Sequence, residues 1–118
     1  MERNEIPPGT LEILILRTLS RAEKLHGFEI AEFIEAQSQD VLTVEEGSLY
    51  PALQRLLVKA WIADAWGRTA ENRRARYYRL TAAGRRHFER EVEREIRSQL
   101  REHAARVEIG LPRLELAA

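Results

Sequence analysis

The chain of 118 residues contains no cysteine. That absence excludes disulfides and thiolate metal sites, and it suits a reducing cytosol. Nor does the chain hold an apolar run of the roughly 18 to 20 residues needed to cross a bilayer. The stretch from Met1 to Gly9 lacks the apolar centre of a signal peptide, so a cytoplasmic protein without membrane association is expected. There is no Gly-rich phosphate loop of the Walker or Rossmann form. His26, His87 and His103 approach no metal-ligand spacing, and Ser48 lies in no nucleophile turn. These absences argue against an enzyme and leave no metal or cofactor to expect.

Net charge is also missing, with 19 basic side chains against 19 acidic ones. The zero conceals a division along the chain. Residues 1–47 carry four basic groups against ten acidic ones, whereas residues 67–90 carry eight arginines against Glu71 and Glu89. A phosphate backbone feels charge across a Debye length of about 8 Å, so the local excess of positive charge matters and the total does not.

What is present suffices for one compact domain, with 44% hydrophobic and 32% charged residues. After a polar tail ending in Pro7-Pro8-Gly9, Thr10 is placed to cap a first helix. Leu11, Ile13, Leu14, Ile15, Leu16 and Leu19 make that helix apolar around most of its circumference, which requires burial on several sides. Residues 20–25 read as a linker. A second helix opens at His26-Gly27, with Phe28, Ile30, Ala31, Phe33 and Ile34 as its expected buried surface. Val41 to Val44 are β-prone and suggest a short strand or extended connector.

A third helix is expected from about Ser48, with Pro51 in its first turn, where a missing N–H costs nothing. At 100° per residue, Leu49, Ala52, Leu53, Leu56, Leu57 and Ala60 gather on one face. Tyr50, Pro51, Gln54, Arg55 and Val58 point the other way. Trp61 to Trp66 and Ala75 to Leu80 read as two strands of a hairpin, with Tyr77 or Tyr78 in the core and a basic loop of roughly six to eight residues. Thr81 caps a last helix, with Gly84 in its first turn. Its row Phe88, Val92, Ile96 and Leu100 is a lone apolar stripe among charges. Such a stripe calls for a partner: the first helix, the same helix of a second subunit, or both.

The expected fold is mainly α with a small β-hairpin (α+β), a winged helix-turn-helix with a C-terminal dimerisation helix. In that architecture the third helix lies in the DNA major groove and the hairpin loop reaches the neighbouring backbone or minor groove. The chemistry suits both places. Gln54 can pair with an adenine edge and Arg55 with guanine. Ser48 and the unpaired N–H groups beside it can hold a phosphate, with the Tyr50 hydroxyl adjacent. Arg73, Arg74 and Arg76 can follow a phosphate line. The alternative is a winged-helix adaptor without DNA binding, against which the polar outer face of the third helix argues.

Gly9-Thr10-Leu11, His26-Gly27-Phe28-Glu29-Ile30, Gly47-Ser48-Leu49-Tyr50-Pro51-Ala52-Leu53 and Arg76-Tyr77-Tyr78-Arg79-Leu80-Thr81 with Gly84 resemble the signature blocks of PadR-like regulators, over roughly residues 9–88. The resemblance implies a homodimeric repressor on an inverted-repeat operator of double-stranded DNA. It leaves open release by a small-molecule effector of unknown identity, with Trp61 and Trp66 as candidate lining residues. By position it implies DNA contact from His26, Ser48, Tyr50, Pro51, Gln54 and Arg55, helped by Arg73, Arg74 and Arg76. It also implies a dimer interface from the first and last helices, through Leu11, Leu14, Phe88, Val92, Ile96 and Leu100. The corresponding organisation is a tail over 1–8, the DNA-binding domain over 9–80, the dimerisation helix over 81–109 and a tail over 110–118. The chain departs from the family pattern at Leu57 and Ala60, where a glutamate and a glycine are usual, and at Trp61.

Overall fold

A computed structural model describes residues 6–108; the far end of the expected N-terminal tail and the whole of the C-terminal one lie outside the described residues. The elements are α1 (Pro8–Leu19), β1 (Leu25–His26), α2 (Gly27–Gln37), α3 (Glu46–Val58), β2 (Ile62–Arg68), β3 (Arg74–Leu80) and α4 (Ala82–Glu108). Pro8 is the first helical residue of α1 and Pro7 precedes it without a side-chain cap, so the expected Thr10 cap is corrected. Proline is tolerated there because its missing N–H has no intrahelical partner to lose. Leu11, Ile15, Leu16 and Leu19 are at most 1% exposed. Packing of α1 against α2, α3 and β3 satisfies the requirement for burial on several sides. The buried Thr18 hydroxyl donates to the Leu14 carbonyl at 2.8 Å, so no polar atom is stranded.

The sheet is antiparallel in the order β1-β3-β2, with Leu25 opposite Tyr78 and Ile62 opposite Leu80. The third strand therefore comes from the expected linker. Residues 41–44 form a bent connector with no strand pairing. Two residues cannot display an alternating pattern; only the free edge of β3 makes Leu25–His26 a strand. The hairpin strands run further than expected, through Arg68 and from Arg74, and leave a five-residue loop. On α2, Ile30 and Ile34 are buried as expected, but Phe28 and Phe33 are exposed. The helix lies against the body along a narrower stripe than its composition suggests.

Helix α3 starts at Glu46, two residues early, so Pro51 falls in the second turn and its nitrogen cannot bond the Gly47 carbonyl. The helix closes with two bonds, from the Ala60 N–H to the Leu57 carbonyl at 3.0 Å and from the Trp61 N–H to the Leu56 carbonyl at 3.1 Å. This is a Schellman motif, and it requires a left-handed residue at Ala60, where φ is 58°. Alanine occupies the place that glycine fills at least cost. Ala60 is exposed, against its expected place on the buried face.

The next corner is equally tight. The Thr81 N–H and hydroxyl donate to the carbonyls of Trp61 (3.0 Å) and Ala60 (2.7 Å). The Thr81 oxygen accepts the Gly84 N–H at 3.0 Å, the cap expected from sequence. A Cβ on Gly84 would sit 1.9 Å from the Trp61 carbonyl oxygen. The rings of Trp61 and His87 stack at 3.6 Å. These contacts carry the first compact unit through Phe88, beyond the expected boundary at residue 80. In the second unit, from Glu89, the described residues are the rest of α4, along which Val92, Ile96 and Leu100 are 41%, 54% and 61% exposed.

Two substitutions test this corner by urea denaturation. Ala60→Gly should stabilise by about 1 kcal/mol, because the left-handed residue loses its Cβ penalty. Gly84→Ala should destabilise by about 3 kcal/mol, because the clash is with the Trp61 backbone carbonyl, which the Thr81 N–H holds in place.

Candidate nucleic-acid interface

The exposed side of α3 consists of Glu46, Gly47, Ser48, Tyr50, Pro51, Gln54 and Val58, while Leu49, Ala52, Leu53 and Leu56 face the core. Arg55 is placed differently from its neighbours. Its Nε lies 3.4 Å from Glu12 Oε2, and Lys59 Nζ lies 3.0 Å from Glu12 Oε1. The Glu12 carboxylate, largely buried with its side chain 13% exposed, thus draws both cations to the α1 flank. Sequence reasoning missed Glu12, although a lone acid inside an apolar helix is a visible signal. The Nη groups of Arg55 remain outside that pairing.

At the start of α2 the side chain of His26 forms a capping box with Glu29. Its Nδ1 accepts the Glu29 N–H at 3.3 Å, and Glu29 Oε1 accepts the His26 N–H at 3.1 Å. With Nδ1 accepting, a neutral imidazole carries its proton on Nε2, which is then the donor. Gly27 follows, and a Cβ there would approach the Tyr50 hydroxyl oxygen to 3.3 Å. The missing side chain lets the phenol of α3 lie against the first turn of α2.

In the wing, residues 69–73 close the hairpin. The Thr69 N–H donates to the Arg73 carbonyl at 2.8 Å, and Asn72 takes a left-handed φ of 60°. Arg73 alone is in the loop, whereas Arg74 and Arg76 lie in β3. Period-2 alternation sets Arg74, Arg76 and Tyr78 on one face of the strand. The Arg74 guanidinium lies 4.2 Å above the Trp66 ring, and Arg76 Nε bonds Asp64. That bond raises the Arg76 pKa, so the group stays cationic. Tyr78, at 3% exposure, is the tyrosine expected in the core. Burial raises its pKa, so its phenol stays neutral.

These parts meet. His26, Gly27 and Phe28 from the β1–α2 junction, Tyr50 from α3, and Trp66, Thr69 and residues 74–76 and 78 from the wing line one open groove of about 460 Å³. His26, Tyr50, Arg74 and Arg76 are thereby brought together. Ser48, Pro51 and Gln54 continue the α3 surface outside the groove, Arg73 stands at the base of the loop beside Thr69, and Arg55 is on the α1 flank. Phe28, expected inside, is 69% exposed at the groove edge; an aromatic beside a helix start reads as core in sequence.

Of the residues expected at a subunit interface, Leu11 is corrected, because it is wholly enclosed in the core of its own chain. Leu14 and Phe88 are half-buried against that core, and Val92, Ile96 and Leu100 are open to solvent. Among the described residues no group of His, Asp and Glu side chains gathers as a metal site, and no helix is long and apolar enough to cross a membrane.

Residues 15–90 match the transcriptional regulator PadR-like family. An uncharacterised protein of Lysinibacillus sphaericus is 31% identical over 85 residues, covering 72% of this chain and 77% of that protein. A PadR family transcription regulator from Clostridium difficile R20291 has a similar structure, with a TM-score of 0.64, 26% identity, and 80% and 97% of the two chains covered. Bacillus subtilis PadR, solved in complex with operator DNA, shares the fold at a TM-score of 0.61 and 20% identity, covering 70% of this chain and 46% of that one.

Raising the pH tests the buried phenol. The folded chain favours neutral Tyr78, so its contribution to stability is intact below the ordinary value of 10.0 and is lost as pH climbs through the raised one. Tyr78→Phe should flatten the alkaline fall in urea midpoint.

Proposed function

We propose, from the premise that this chain belongs to the PadR-like family of transcriptional regulators, that it acts as a homodimeric repressor on a palindromic operator. Members of that family are transcription regulators and not enzymes. The carrying observation is that Tyr50 of α3, His26 at the start of α2, and Arg74 and Arg76 of the wing line one groove. In this reading α3 enters the major groove, with Gln54 on an adenine edge and the Nη pair of Arg55 on a guanine. The Ser48 and Tyr50 hydroxyls, in the first two turns of α3, donate to a phosphate beside Pro51, and His26 adds its Nε2–H. Arg73, Arg74 and Arg76 set the wing on the adjacent backbone.

The homodimer is supported by the stripe Val92, Ile96 and Leu100, which no residue of its own helix covers. Burying three such side chains is worth roughly 1.5 to 3 kcal/mol each before ordering costs. Leu14 and Phe88 are the further interface residues proposed. A twofold pair sets its reading helices about 34 Å apart, one turn of DNA, hence a palindromic site. Repression needs only occupancy of that site. The proposed location is the cytoplasm, where such DNA lies.

Mobility-shift titration against the upstream DNA, over a range of salt, tests the reading. Gln54→Ala should relax preference at one base position, by about 1 to 3 kcal/mol of discrimination, and leave the salt slope unchanged. Arg74→Ala should weaken all sequences alike and reduce the slope by about one. Affinity insensitive to salt would overturn DNA binding.

The interface has its own test. Ile96→Glu should convert the dimer to a monomer in sedimentation at micromolar concentration and cost operator affinity. A wild-type monomer under the same conditions would remove the dimer.

A further inference from the structure

The groove between α2, α3 and the wing has a chemistry that a phosphate backbone does not ask for. A phosphate line is recognised by donors and cations. Phe28 offers neither, yet it is 69% exposed at the groove, and the Trp66 ring, 61% exposed, stands there too. With Tyr50 they make aromatic walls, the surface on which a flat ring stacks.

Donors for an anion sit between those walls. The Arg74 guanidinium lies over Trp66, and Arg76, held at Nε by Asp64, keeps its Nη groups. Tyr78 is 97% buried (3% exposed) and lines the same cavity. The space of about 460 Å³ is in the range of small-molecule sites. Two guanidinium groups and a phenol in one groove are enough donors to engage all three oxygens of a phosphate monoester.

We propose that this groove is a binding site for a free nucleoside monophosphate, its base stacked among Phe28, Tyr50 and Trp66 and its phosphate on Arg74, Arg76 and the Tyr78 hydroxyl. The ligand occupies the surface given above to DNA, so nucleotide and operator exclude one another. Exclusion rests on the DNA-binding reading; nucleotide binding by the free chain does not. The operator could itself present a nucleotide to the groove, but a duplex keeps its bases stacked on one another, which leaves the aromatic walls to the free form.

Calorimetric titration of the full chain with adenosine and guanosine 5′-monophosphates, without DNA, is the first arm. Binding is expected with a Kd on the order of 100 µM for at least one of them. Phe28→Ala and Arg74→Ala should each weaken it about tenfold, while Phe33→Ala, an exposed aromatic of α2 outside the groove, should leave it unchanged. The unphosphorylated nucleoside and inorganic phosphate should each bind at least about tenfold more weakly. No saturation by about 5 mM, equal binding of inorganic phosphate, or an unchanged Phe28→Ala would each overturn the site.

The second arm repeats the mobility shift with nucleotide at ten times its Kd, where direct competition raises the apparent Kd for DNA about elevenfold. Nucleotide that binds without moving this value overturns exclusion. A chain that binds nucleotide but no duplex overturns the DNA reading and keeps the site. A Phe28→Ala variant that loses duplex affinity alone identifies the groove as a seat for DNA sugars and overturns the nucleotide proposal.

Discussion

A helix apolar on nearly every side cannot rest against a single neighbour, and α1 is such a helix. Leu11, Ile15, Leu16 and Leu19 can be hidden only if α2, α3 and the sheet close around them. Closing that ring turns the apolar side of α3 inward through Leu49, Ala52, Leu53 and Leu56 and leaves its polar side outward. The orientation of the surface proposed to meet DNA is thus a consequence of hiding α1. Glu12 belongs to the same economy: it sits at the rim of the buried helix and takes Arg55 and Lys59 as partners.

Around that core the site is assembled by short contacts. His26 caps α2 with its own ring, which assigns the proton to Nε2. Gly27 has no side chain, so Tyr50 can lie against the turn. Asp64 orients Arg76 and Trp66 supports Arg74, so two wing arginines are positioned before any partner arrives. Preorganised cations lose less conformational freedom on binding than free ones.

The departures from the family pattern fall at the end of α3 and have separate physical consequences. Ala60 holds a left-handed backbone conformation with a side chain that disfavours it. Leu57 adds half-buried apolar surface beside it, and Trp61 offers its ring to His87 and its carbonyl to Thr81. The corner trades backbone comfort for side-chain packing and keeps the same turn. Gly84, which leaves no room for a Cβ, is where the turn admits no alternative.

Helix order, the two faces of α3, the hairpin, the Thr81 cap and the stripe on α4 were legible in the sequence, because each follows from a repeat of two or 3.6 residues or from a local hydrogen bond. The residues of the candidate site were legible by type and by family resemblance, but not by grouping. That Leu25–His26 joins β3, that Phe28 faces outward and that Leu11 is enclosed were decided by tertiary structure. So were the capture of Arg55 by Glu12 and the meeting of Tyr50, Arg74 and Tyr78 in one groove. Contacts between residues tens of positions apart depend on which surfaces the core has already consumed, and no local periodicity encodes that.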